Sequence, residues 1–124
     1  MQLIANELIP MELRYYTLRN GWKNAEHTVK DEEPEDFRPV IKLFCPWSGA
    51  TWLLTELHPG DPDIAFGLCD LGQGFPELGS VSIMELKSVK GPGGLTIECD
   101  LHFRAEKTLG AYAEEARRFG HIEA

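Results

Sequence analysis

The most regular pattern in the chain runs from Leu95 to Arg104, where Leu95, Ile97, Cys99, Leu101 and Phe103 alternate with Thr96, Glu98, Asp100, His102 and Arg104. Period-two alternation of this length predicts a strand with one face on a core and the other in water. Three earlier segments, PVIKLFC (Pro39–Cys45), TWLLTEL (Thr51–Leu57) and DIAFGLC (Asp63–Cys69), are rich in β-branched and aromatic residues and also predict strands. The connections PWSGA and HPGDP are short enough for hairpins, which predicts an antiparallel meander. After the Gly- and Pro-containing loop DLGQGFPE, LGSV (Leu78–Val81) is a short fourth strand.

Helical spacing occurs in three places. Pro10 suits the first residue of a short helix with Ile9, Leu13 and Tyr16 on its inner face, and Asn20-Gly21 reads as its stop. Ser82 and Glu85 match a capping box that opens a helix from Ile83 to about Val89, with Ile83, Leu86 and Val89 inward and Gly91 as its end. Thr108 caps a C-terminal helix over 108–119, where Leu109, Tyr112, Ala113, Ala116 and Phe119 share a face and Arg117, Arg118 and Gly120 complete the end. KNAEHTVKDEEPEDF (23–37) carries six acids and little that packs, and reads as an acidic surface loop. The expected fold is a single α+β domain over 1–124, a four- or five-stranded, mainly antiparallel sheet with two or three helices packed on it.

Composition narrows the partners. With 43% apolar and 26% charged residues, 124 residues build an ordinary core without metal or disulfide. Twenty acidic against 12 basic side chains leave a formal charge of -8, which opposes direct nucleic-acid or membrane binding and suits a basic protein, including one that itself binds nucleic acid. Asp31, Glu32, Glu33, Glu35 and Asp36 are candidate contacts for such a partner, and Trp47, after Pro46, is either an exposed anchor or a lid over the sheet. Cys45, Cys69 and Cys99 have no zinc or redox spacing and fit a reduced, cytoplasmic protein, and the N-terminus lacks the pattern of a secretory signal. The longest apolar stretch falls far short of a membrane span.

Candidate chemistry is sparse. Glu98, Asp100 and His102 would share the wet face of one strand, but residues two apart there project in parallel about 6.6 to 6.8 Å from each other. A metal with ligand distances near 2.0 to 2.2 Å would take at most two and need ligands from elsewhere. The other readings of this row are a solvated face paired with Arg104 and a partner-contacting face. Glu56 is either a half-buried acid with a raised pKa or the first polar residue as its strand meets solvent. His27, His58 and His121 lack regular ligand spacing, CPWSG lacks the setting of a nucleophile elbow, and neither LGQGFPELG nor GPGG fits a nucleotide-binding loop. No cofactor and no metal is expected.

Taken in order, LIPMEL (Leu8–Leu13), IKLFCPWSGATWLLTEL (Ile41–Leu57), FGLCDLG (Phe66–Gly72), ELGSVSIMEL (Glu77–Leu86) and GLTIECDLHF (Gly94–Phe103) resemble the bacterial DUF2958 family. Ser80 stands where that family usually has an aromatic residue, and Cys99 where it usually has Arg. The family name denotes unknown function, so the resemblance transfers no catalytic residue, although Trp52, Glu56, Glu77, Glu98 and Asp100 fall on its recurring positions. It implies a prokaryotic, intracellular protein, often carried on mobile elements beside replication, conjugation or anti-defence genes. The resulting expectation is a non-enzymatic binding or accessory protein of a bacterium or mobile element that acts through protein contacts, one version being an inhibitor of a host defence complex of restriction or CRISPR type. The rival is a metal-dependent hydrolase or nuclease that uses Glu98, Asp100 and His102 with Glu56 or Glu77.

Overall fold

A computed structural model describes residues 8–124; the expected domain also takes in residues 1–7, which lie outside the described residues. The elements in chain order are α1 (Met11–Val29), β1 (Ile41–Phe44), β2 (Thr51–His58), β3 (Asp61–Asp70), β4 (Glu77–Ser82), α2 (Ile83–Ser88), β5 (Glu98–Cys99) and α3 (Leu109–Phe119). The strands form one antiparallel sheet in the order β4-β3-β2-β1-β5, so the short turns do produce the meander and the fold is α+β. Both faces of its centre are covered. Ile41, Leu43, Trp52 and Leu54 pack with Ile9, Ile83, Leu86 and Ile97 on one side, while Leu53 and Leu68 lie under Leu109, Tyr112, Ala113 and Ala116 of α3 on the other. Burial on both faces explains the unbroken apolar run Trp52-Leu53-Leu54.

The end of α1 departs from the sequence expectation. β1 pairs with β2 only as far as Leu54, and beyond it a bulge at Thr55 shifts the register so that Glu56 faces Phe66. α1 lies against the part of β2 that β1 leaves uncovered. Asn20 Nδ2 donates to the Thr55 carbonyl at 3.0 Å, and a Cβ on residue 21 would lie 1.9 Å from the Leu57 carbonyl oxygen. Asn20-Gly21 is therefore a docking pair rather than a helix stop, and the helix runs on to Val29. The stretch 23–29 is helical, the acidic loop begins at Lys30, and Tyr16 faces outward.

The predicted Leu95–Arg104 strand is also shorter. Only Glu98 and Cys99 pair with β1, opposite Phe44 and Leu43, and Lys90 bridges Thr96. Asp100 Oδ1 accepts the His102 N–H at 2.9 Å, a local side-chain bond that competes with a ladder and turns the chain. Leu95 and Leu101 consequently face water.

The other two helices follow their caps. Ser82 Oγ accepts the Glu85 N–H, and Asp63 strengthens the start of α2 by accepting from Ser82 Oγ and from the Met84 N–H. Val89 lies past the end of α2 and is exposed, not inward. Thr108 Oγ1 accepts the Ala111 N–H, and Gly120 closes α3 with φ 79°. Phe119, expected on the inner face of α3, is exposed.

Candidate functional site

The residues of the hydrolase reading are dispersed. Glu98 is exposed on β5 and His102 is exposed in the following turn. Asp100 is half-buried, its backbone N–H donates to the Lys42 carbonyl, and its Oδ2 is 3.8 Å from Lys42 Nζ. Glu77 starts β4, at the opposite edge of the sheet from β5. Glu56 lies on the opposite face of the sheet from Glu77, as the alternation Glu56–Phe66–Ser80 against Cys69–Glu77 requires. Among the described residues no three His, Cys, Asp or Glu side chains are grouped to hold a metal. Burial, and then the carboxylates of Glu77 and Asp100 respectively, push the thiols of Cys69 and Cys99 up, which disfavours the nucleophilic thiolate.

Trp47 is half-buried against the core, and its ring occupies the space that a Cβ on Gly91 would need, 2.4 Å from Cδ2. This packing is the arrangement that the lid reading describes.

The five acids of 31–36 are exposed on a segment outside the helices and strands whose backbone is tied down. Asn24 grips Glu35 from both sides: its Oδ1 accepts the Glu35 N–H at 2.8 Å and its Nδ2 donates to the Glu35 carbonyl at 3.3 Å. Farther on, Asp36 Oδ1 accepts the Gly110 N–H and the Phe37 carbonyl accepts the Leu109 N–H, which joins the segment to the first turn of α3. An acidic group there also complements the helix dipole. Glu32 pairs with His27 Nδ1 at 2.8 Å.

Beside this segment α1 turns its polar side inward. Thr17, Asn20, Gly21 and Asn24 are buried, because this face meets a strand edge with carbonyls to satisfy. Its outward side carries Met11, Tyr15, Trp22 and Val29, four, seven and seven residues apart and so on one side of the helix, while Leu18 packs against the core and Ala25 is half-buried. Met11, Tyr15, Trp22 and Val29 are 60, 60, 63 and 87% exposed. A groove of about 410 Å3 runs over Ala25 between Trp22 and Val29, rimmed by Arg19, Lys23 and Glu26. Sequence reasoning missed this row. Its 4-7-7 spacing was present, but reading Asn20-Gly21 as a stop cut it in half.

These features define a small α+β domain with an apolar helical row and an acidic segment on its surface. A family model described as Protein of unknown function (DUF2958) matches residues 8–123, and the chain belongs to that family. No curated protein and no solved structure matches it.

Proposed function

We propose that this protein is a non-enzymatic binding or accessory protein whose partner is a basic protein, docked on the outward row of α1 and the adjoining Asp31–Asp36 segment. The observation that carries the reading is the inversion of α1, with Tyr15, Trp22 and Val29 in water while Thr17, Asn20 and Asn24 are buried. An exposed apolar patch with charge around it is the anatomy of a protein interface. A net charge of -8 favours a cationic partner and accelerates its approach. The dispersed positions of Glu98, Asp100 and His102 weigh against the hydrolase reading. In its specific form the proposal is a cytoplasmic protein of a bacterium or mobile element that inhibits a host defence complex, occupying a basic surface that would otherwise meet nucleic acid.

Affinity capture from a native-host lysate tests it, run in parallel with wild type, with Tyr15→Ala/Trp22→Ala and with Glu32, Glu33 and Glu35 all changed to Gln. A basic protein held by wild type, lost from both variants and released by added salt is the expected result. Equal capture by the variants, or a complex indifferent to salt, would sink the reading.

A further inference from the structure

Between the C-terminal half of α1 and the sheet is a cavity of about 330 Å3. Its floor is a row across three strands, with Glu56 of β2 opposite Phe66 of β3 and Phe66 opposite Ser80 of β4. Adjacent rungs are about 4.8 Å apart, so a carboxylate and an aromatic ring are near neighbours here. Ala25 of α1 and Ile64 of β3 supply apolar walls, and the small side chains of Ala25 and Ser80 leave the space open. His58 stands at one side with its Nδ1 engaged by the Gly60 N–H at 3.0 Å.

Glu56 is the one carboxylate in this lining. Asn24 Nδ2 contacts Oε1 at 3.1 Å and Oε2 at 3.3 Å, and Thr55 Oγ1 contacts Oε1 at 3.3 Å. A carboxylate offers about four acceptor positions. The Asn24 N–H that reaches Glu56 is split between its two oxygens, and the single proton of the Thr55 hydroxyl is also within 3.4 Å of the Phe66 carbonyl, so the carboxylate keeps acceptor capacity for an incoming donor. Every donor is neutral, and the Asn24 amide is shared with the Glu35 carbonyl. Burial pushes the Glu56 carboxyl above its ordinary value against the opposing pull of Asn24 and Thr55, so the ionised form lacks adequate compensation. A cation arriving from outside would supply it.

We propose that this cavity binds an organic cation, a primary ammonium or guanidinium on an aliphatic stem, with its head on Glu56 and its stem along Phe66 and Ile64. Phe66 adds attraction for a positive group within about 6 Å of its ring. An anion would meet the carboxylate, and a divalent metal requires more oxygen ligands than this one side chain gives. The same chemistry is offered by a free alkylamine or guanidine and by a lysine or arginine side chain of a protein. The site rests on its own carboxylate and cavity and shares only half-buried Ala25 with the groove on the outward side of α1, so either can fail without the other.

Titration of the full chain, followed by backbone amide NMR, decides the matter with four probes: n-butylammonium, n-butylguanidinium, neutral n-butanol and a capped peptide with one arginine among glycines. Saturable shifts at Ala25, Phe66 and Ser80 are expected with a cation, with binding about tenfold or more weaker for n-butanol and for Glu56→Gln. Ser80→Phe fills the space while sparing the carboxylate and should weaken binding as much, in a protein whose spectrum shows an intact fold. Saturation by the free cations assigns the cavity to a small amine or guanidine, and saturation by the peptide alone assigns it to a partner's side chain. No saturable shift with any cationic probe, or undiminished binding by n-butanol or by either variant, would overturn the proposal.

Discussion

Gly21 and Glu56 behave against the usual expectations for their residue types. In an exposed helix interior Gly→Ala stabilises by about 0.5–1 kcal/mol. At Gly21 the added methyl would sit 1.9 Å from the Leu57 carbonyl oxygen, which is backbone and yields only if α1 backs away from β2. We expect Gly21→Ala to destabilise the fold by about 1–3 kcal/mol in urea unfolding. For Glu56 the folded carboxyl holds its proton more tightly than the unfolded one. Its contribution to stability is therefore complete below the ordinary carboxyl range and is lost as pH rises through the raised folded value. Glu56→Gln should unfold at a higher temperature than wild type near about pH 7, and the gap should narrow toward about pH 3, below the ordinary carboxyl range. A constant gap across that range, or destabilisation at neutral pH, would refute this account.

At the scale of elements, the six residues of α2 are too few for a self-sustaining helix, so its start depends on Asp63 as well as Ser82. Asp63→Ala removes an acceptor from both Ser82 Oγ and the Met84 N–H. It should cost about 1–2 kcal/mol, with faster amide exchange across 83–88 as the local readout. The same scale shows which parts of the fold were legible. β1 to β4 announced themselves because each strand and its turn are specified by neighbours in sequence. The C-terminal helix carried its own cap and glycine stop. What could not be read was contact with a distant edge: Asn20-Gly21 is turn chemistry until the Thr55 and Leu57 carbonyls are known to lie beneath it. Likewise, the alternation of 95–104 promised a long strand, but it pairs with β1 only at Leu43 and Phe44 before the Asp100 side chain turns the chain.

For the molecule as a whole, the sheet sits between two apolar clusters, and among the described residues no helix is long and apolar enough to cross a membrane. The acidic segment was visible as composition, since charge is written residue by residue. The cavity around Glu56 was not, because it needs three strands in register and a helix laid across them. Asn24 joins these two features, holding Glu35 and Glu56 with one carboxamide. The segment is thus a strap with Asn24 as the buckle at its middle, and its peptide bonds after Glu32 and Glu35 gauge whether that buckle is closed. A glutamate-specific protease needs an extended, detached substrate, so it should nick the native chain slowly here and cut Asn24→Ala at these bonds several times faster. Equal rates would show that the strap is held elsewhere. If the buckle is as described, a cation drawing Glu56 away from Asn24 would change how fast the chain is clipped some ten residues beyond that asparagine, an effect visible on a gel.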